Sequence, residues 1–474
     1  RTLFPYTTLF RSIGIVDSQG NFVTSHEEFY KTYYPNIGWA EQKPEDWWQA
    51  FNNTLKRCMD DINDEIKMQI TACCVCATSS TVIPVDKQGD ALTNAILWMD
   101  SRAKKESKMI NDQNHEVLNY CGGEVSVEWL VPKALWIKNN QRKVYSSSYK
   151  IIEQLDWLNF KLTGQWASSI CNSTCKSNYI DDYGKWNDEF FKSIGFDDYE
   201  EKLLTNVKKI GERVGTFSAL LASKFGLPHD ITVVQGGIDA HIAMLGMGVV
   251  APGKIACIMG TSFVHLAFSE KPIFQKGIWG PYNKAVLPNY WLLEGGQISA
   301  GSITKWFIDT FNVQEDDAYV KMMNEAAKIK PGSEGLVTLD YFSGNRTPYK
   351  DPYASGVIYG LNLKHTRAHI YRSMLEGVAL GTKNVVENFQ KQGYEIKSLI
   401  GCGGVTKNKL WLQIIADATG IEIVVNVNTK AGILGCSMAA AVGSGRYENF
   451  EKAGYEMVHE DYKIVPSKEK DRKS

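Results

Sequence analysis

Residues 398–443 read SLIGCGGVTKNKLWLQIIADATGIEIVVNVNTKAGILGCSMAAAVG, and the order of patterns in this stretch decides the fold class. SLIGC is a short apolar run closed by glycines. LWLQIIADATG places apolar residues at helical spacing and ends on Gly420. EIVVN is rich in β-branched residues, and a second helical pattern runs from Gly432 to about Gly443. Strand, helix, strand, helix in that order implies parallel strands joined by crossover helices. Just upstream, KIACIMGTSFVHLAFS (254–269) gives two alternating runs around Gly260-Thr261-Ser262, a β-hairpin.

The front half shows a related plan. IGIV and NFVTSHEEF flank Asp17-Ser-Gln-Gly20, a hairpin signature, and residues 45–68 carry apolar residues at helical spacing behind Pro44. ITACCVCATSS (70–80) is almost wholly apolar and predicts a central strand buried on both faces. STVIPVD with Gly89 predicts another hairpin, and residues 133–164 a mainly helical region with one interruption. The strand ITVV (231–234) then leads into Gln235-Gly236-Gly237. The expected architecture is α/β, two similar halves with a cleft between them.

Composition bounds the function. The 474 residues carry 52 Lys+Arg against 53 Asp+Glu, a net charge of −1, so no global field is available to hold a nucleic acid backbone. No apolar run approaches the ~20 residues of a membrane helix. Ten cysteines, three of them in the apolar run at 73–76, read as reduced buried thiols of a cytoplasmic protein rather than a disulfide framework. Residues 1–12, RTLFPYTTLFRS, lack the features of a signal peptide and resemble the translation of a sequencing adapter.

Three constellations carry chemistry. Asp239, in Gly236-Gly237-Ile238-Asp239-Ala240-His241, is a carboxylate at a strand end beside glycines; it reads equally as a general base or as a cap of the next helix. Gly260, Thr261 and Ser262 form either a plain turn or an anion-binding concavity of backbone N–H groups and hydroxyls. Gly401-Cys-Gly403-Gly404, followed by Val405-Thr406-Lys407-Asn408, sits at the carboxyl end of a strand where nucleotides dock in α/β sheets. Glu294-Gly295-Gly296-Gln297, Asp100 with Arg102, and Lys176 are weaker clusters. His365 and His369 stand at metal-ligand spacing but lack a third ligand, and read as exposed helix histidines.

Taken together and in order, GWAEQKPEDWW, ILWMDSRA, LDWLNFKLTG, GGIDAHIAMLGMG, MGTS, EGGQISAGS, CGGVTKN and ADATG resemble the FGGY family of carbohydrate kinases, from about Ile13 to about Gly454. The sugar-side stretches GGEVSVEWLVPKALW, CKSNY, GIWGPY and SGNRTP are most similar to its ribulokinases. The resemblance implies two ribonuclease-H-like domains of the actin/Hsp70/sugar-kinase ATPase type: a sugar-binding domain at 13–248, a nucleotide-binding domain at 249–460, and a charged tail at 461–474. It implies phosphorylation of a pentulose, best ribulose, at its terminal hydroxyl, with ATP and Mg²⁺. The alternatives are a kinase for xylulose or ribitol, or a nucleotide-binding sensor without turnover. By the same resemblance Asp239 is the base. Gly260, Thr261 and Ser262 meet phosphate, and Gly403, Gly404 and Asn408 meet adenosine. Lys176 and Glu294 hold sugar, with Asp100 and Arg102 near that pocket. No metal ligand is assigned. The expected partner is a small-molecule sugar, with no nucleic acid or membrane; a homo-oligomer is compatible with this reading. The family's first strand and its Asp-x-Gly-Thr phosphate loop would fall where residues 1–12 stand. Little activity is therefore expected from the chain as written.

Overall fold

A computed structural model describes residues 10–274, 277–311, 313 and 317–467. The first reversal is set by Asp17, whose carboxylate accepts from the backbone N–H groups of Gln19 and Asn21, and by Gly20, whose φ of 86° suits glycine. The flanking runs pair antiparallel as β1 (Phe10–Val16) and β2 (Phe22–Phe29). The hairpin is the expected one, but β1 begins three residues before Ile13, and the reading of residues 1–9 falls outside the described residues. Helix α1 (Pro44–Asp60) starts on a proline with two acidic residues in its first turn, as a helix N-terminus favours. It lays Leu55, Cys58 and Met59 against Ile13 and Ile15. The helical stretch expected over 45–68 breaks at Asp61–Asn63, where Asn63 caps a separate short turn.

The apolar run at 70–80 forms only a three-residue strand, β3 (Ala72–Cys74). A second small sheet, made of Glu41–Gln42, Ala95–Ile96, Val82–Val85 and Lys150–Glu153, packs around Trp47, Ile83 and Trp157. Its last strand is the interruption in the 133–164 helical region. Helix α2 (Ile170–Lys176) follows, then β4 (Arg213–Thr216), β5 (Thr232–Val234) and helix α3 (Asp239–Gly246). β3 pairs in parallel with β5, and β5 pairs with β4, so β3 is an edge rather than the expected centre. Its other edge faces a cavity of about 950 Å³ that is bounded opposite by Ile13 and Ile15 of β1 and reaches Asp239. Ala72–Cys74 is also only half-buried along this cavity, so the burial expected on both faces is not found either; an apolar run does not report which edges are paired.

Beside a separate small pairing of Val337–Leu339 with Val357–Tyr359, the second half builds one seven-stranded sheet. Its strands are β6 (Lys254–Met259), β7 (Phe263–Ser269), β8 (Trp279–Asn283) and β9 (Trp291–Gln297), with helices α4 (Gly301–Thr310) and α5 (Arg367–Gln390) following. Then come β10 (Ser398–Cys402), α6 (Lys409–Thr419), β11 (Glu422–Asn426), α7 (Ala431–Gly443) and β12 (Glu460–Ile464). The sheet order is β8-β9-β7-β6-β10-β11-β12, with β6, β10 and β11 parallel as the βαβα reading requires. β12 extends past the expected start of the tail at 461, and residues 468–474 lie outside the described residues.

The expected exposed histidine pair is not found. His369 is buried and serves the capping box of α5 with Thr366, while His365 precedes the helix and accepts from the N–H of Asn362. Each ring therefore serves local backbone.

Helices α3 and α7 cross at glycines. A Cβ on Gly246 would lie 2.0 Å from the carbonyl oxygen of Ala431, and one on Gly435 would lie 1.9 Å from that of Ile242. The backbone bearing Asp239 is thereby pressed onto a helix of the second half, closer than any side chain allows.

Candidate active site

Asp239 is exposed and occupies the first position of α3, where helix N-terminal amides favour a negative group. Its own N–H donates to the carbonyl of Ala77 (3.0 Å), and its carboxylate accepts from the N–H of Ala240 (2.7 Å). The residue ahead of the helix is Ile238, so Asp239 is not the N-cap that one reading of the sequence offered. The preceding glycines serve packing: a Cβ on Gly236 would meet the Val75 carbonyl at 1.9 Å, and one on Gly237 would meet Cys171 at 2.8 Å. They bring β5 against β3 and α2, and so fix where α3 begins.

On one side lie charged groups. Glu294, in β9, stands 3.5 Å from His241 Nε2, and Lys176 closes α2 with its Nζ 5.1 Å from the centre of the Trp129 ring. Burial would raise the Glu294 carboxyl, but Lys176, His241 and Arg346 outweigh it and hold it down to about 2. Burial would likewise lower His241, yet Cys171 and Glu294 raise it to about 9. Cys171 Sγ lies 3.2 Å from His241 Nδ1 and Cys175 Sγ lies 3.9 Å from it. Against its burial, Cys171 is brought down to about 5 by Cys175 and His241, while burial and Cys171 push Cys175 well up. The Cys171 and His241 shifts both favour the shared proton on His241 rather than on Cys171.

The predicted phosphate and adenosine residues lie in two backbone turns of the second half. The β6–β7 turn is bolted to the start of α4: the carbonyl of Gly260 accepts from Gly301 (3.2 Å), and that of Thr261 accepts from Ala300 (3.2 Å) and Ser302 (3.0 Å). The turn is thus held from two sides, with Thr261 exposed and Ser262 half-buried. Gly403 has a φ of 103°, and a Cβ there would lie 2.5 Å from the Met259 carbonyl, so the end of β10 closes directly on this turn. Gly404 is exposed, with open space where a Cβ would point. Asn408 accepts the Trp411 N–H (3.0 Å) and caps α6.

Asp100 and Arg102 are committed to each other. Asp100 accepts from Arg102 Nε (2.9 Å) and Nη2 (2.8 Å) and from the N–H of Ala40 (2.6 Å). Arg102 also reaches Glu41 (2.8 Å) and lies 3.9 Å from the Trp39 ring centre. Both side chains are buried, and the pair reads as an anchor for the Trp39 segment.

The sequence reading missed His241, Cys171, Cys175, Gly301 and Arg346. The four-residue spacing of the two cysteines was visible, but their meeting with His241 depends on β5 delivering α3 beside α2. Gly301 stood within EGGQISAGS without a role; only the close approach to Gly260 gives it one.

Comparison with known proteins gives consistent results. The model of the FGGY family of carbohydrate kinases, N-terminal domain, matches residues 7–246, and that of the C-terminal domain matches residues 255–444. An "FGGY carbohydrate kinase domain-containing protein" of Xenopus laevis is 32% identical over 97% of this chain and 91% of its own length. A "Ribulokinase" of Halalkalibacterium halodurans is 30% identical over 96% of this chain and 89% of its own. Among solved structures, xylulose kinase from Rhodospirillum rubrum superposes with a TM-score of 0.87 at 22% identity, covering 97% of this chain and 93% of that one. Plasmodium falciparum glycerol kinase with ADP gives a TM-score of 0.84 at 21% identity over 96% and 91%. The two-domain α/β fold of the actin/Hsp70/sugar-kinase ATPase type is therefore the fold of this protein, and the chain belongs to the FGGY family of carbohydrate kinases, enzymes that phosphorylate sugars.

Proposed function

We propose that the protein transfers the γ-phosphoryl group of ATP to the terminal hydroxyl of a pentulose, with ribulose as the best-supported substrate. The observation that carries this reading is the exposed carboxylate of Asp239 on α3, with Glu294, His241 and Lys176 gathered beside that helix. Asp239 takes the hydroxyl proton as the sugar oxygen attacks phosphorus, a step that needs a base and in-line placement more than covalent help. Lys176 and Glu294 supply one donor and one acceptor of opposite charge to sugar hydroxyls. Asp100 and Arg102 support that pocket by holding the Trp39 segment in place.

Thr261 and Ser262 offer backbone N–H and hydroxyl donors to phosphate in a turn closed by the Gly260 N–H donating to the Ser262 carbonyl (3.1 Å), and the open face at Gly404 leaves room for the flat adenosine beside Gly403 and Asn408. A magnesium ion bound with the nucleotide would neutralise phosphate charge; the hydroxyl oxygens of Thr261 and Ser262 suit so hard a cation. The ribulokinases among the relatives support a pentulose, and the ADP-bound glycerol kinase supports the nucleotide.

The test is an ADP-formation assay over a panel of pentuloses and pentitols. It is run on this chain and on one carrying a β-strand with an Asp-x-Gly-Thr turn ahead of Phe10. Ribulose-dependent ADP, exceeding that with xylulose or ribitol, is the expected result. Absence of sugar-dependent ADP from both chains would overturn the reading.

A further inference from the structure

All ten cysteines are free, and two of them, Cys171 and Cys175, stand four residues apart on one face of α2. Their sulfurs and a ring nitrogen of His241 lie within 4.8 Å of one another, and all three residues are buried. The sulfurs face Nδ1, at 3.2 and 3.9 Å, while the opposite ring nitrogen, Nε2, faces the Glu294 carboxylate at 3.5 Å. A histidine whose second nitrogen is held by a carboxylate is the arrangement that orients an imidazole for a metal. Two thiolates with one imidazole form a soft donor set that selects zinc or a similar ion over magnesium or calcium.

We infer that Cys171, Cys175 and His241 form a binding site for one soft divalent cation of the zinc class, bridging α2 to α3. Binding forms two metal–sulfur bonds and one metal–nitrogen bond. The proton of the Cys175 thiol and the proton held between Cys171 and His241 leave to solvent, and no electron moves. The bound ion replaces the Cys171–His241 contact as the tie between the helix ending in Lys176 and the helix beginning at Asp239. The site adjoins the proposed sugar pocket through Glu294, and its presence does not depend on the proposed substrate.

Cobalt(II) titration of the reduced, folded protein, without sugar or nucleotide, is the direct test. The expected result is one equivalent bound with a sulfur-to-cobalt charge-transfer absorption that zinc displaces. Affinity should fall by ~10²-fold or more in Cys171→Ser and Cys175→Ser and by ~10-fold in Glu294→Gln, the loss typical of removing a histidine's supporting carboxylate. Cys436→Ser is the control, since Cys436 faces Cys74 and Cys76 in a separate thiol group; it should leave the absorption intact. X-ray absorption at the zinc edge of the unsubstituted protein should show two sulfur neighbours and one nitrogen, a readout independent of whether the variants fold. An oxygen-only shell, no charge-transfer band, or a band lost with Cys436 instead would overturn the proposal.

Discussion

In the C-terminal half, seven strands from β8 to β12 bond edge to edge in one sheet, with β6, β10 and β11 parallel at its centre. In the N-terminal half, the β1–β2 hairpin and the β4–β5–β3 ladder stand apart across a cavity of about 950 Å³. Both halves have apolar cores. The difference lies in the strand edges: among the described residues, β1 pairs only with β2, and β3 only with β5. Pairing of edges is therefore a separate requirement that hydrophobic pattern does not report, and an unpaired edge leaves β3 only half-buried. The contrast bears on function because the cavity reaches Asp239.

The comparison is broken most directly by filling the cavity. A strand ending in an Asp-x-Gly-Thr turn, placed ahead of Phe10, is expected to raise sugar-dependent ADP formation by ~10²-fold or more, the scale of adding donors to developing phosphate charge. Equal rates with and without it would show that the unpaired edges have no bearing on turnover. Amide exchange sharpens the contrast without changing the sequence. Backbone amides of Ala72–Cys74 and of β1 should exchange on the order of 10²-fold faster than those of Ile255–Met259 and Leu399–Gly401, measured by mass spectrometry.

Binding should divide the two sides of the site. Lys176→Ala and Glu294→Ala are expected to weaken sugar binding by ~10-fold, the worth of a charge-assisted hydrogen bond, while leaving ATP affinity unchanged. Gly403→Ala should do the reverse, because its φ of 103° and the Met259 carbonyl 2.5 Å from a Cβ displace the nucleotide-side turn. Calorimetry with each ligand decides both; loss of ATP binding in the Lys176 variant would contradict the division. The smallest effect concerns acid stability. Glu294 is held to about 2 against an unfolded value near 4.5, so its contribution is present above pH 4.5 and lost as pH falls through about 2. Glu294→Gln should flatten that part of the acid unfolding curve, and an unchanged curve would remove the charge assignment.

Much of this was legible beforehand, for physical reasons that differ by region. The stretch 398–443 gave its βαβα order because strands covered by helices read as continuous apolar runs and the helices between them keep their period. Gly403 was legible because its positive φ and the approach of the Met259 backbone exclude a Cβ. By contrast, 70–80 read as a central strand and became an edge, since pairing depends on chain far away in sequence. His365 and His369 read as exposed because a local spacing cannot reveal that each ring caps nearby backbone. The Cys171–His241–Glu294 line was invisible for a similar reason: three elements from both halves must be assembled before those atoms meet.

Asp239 is the proposed base of the kinase reaction, set apart from the residues proposed to hold nucleotide. This assignment is tested most directly by Asp239→Asn, measured for turnover and ATP affinity together in the more active of the two chains described above. Turnover is expected to fall by ~10²-fold or more with ATP affinity unchanged; near-normal turnover in that variant would remove Asp239 from the reaction.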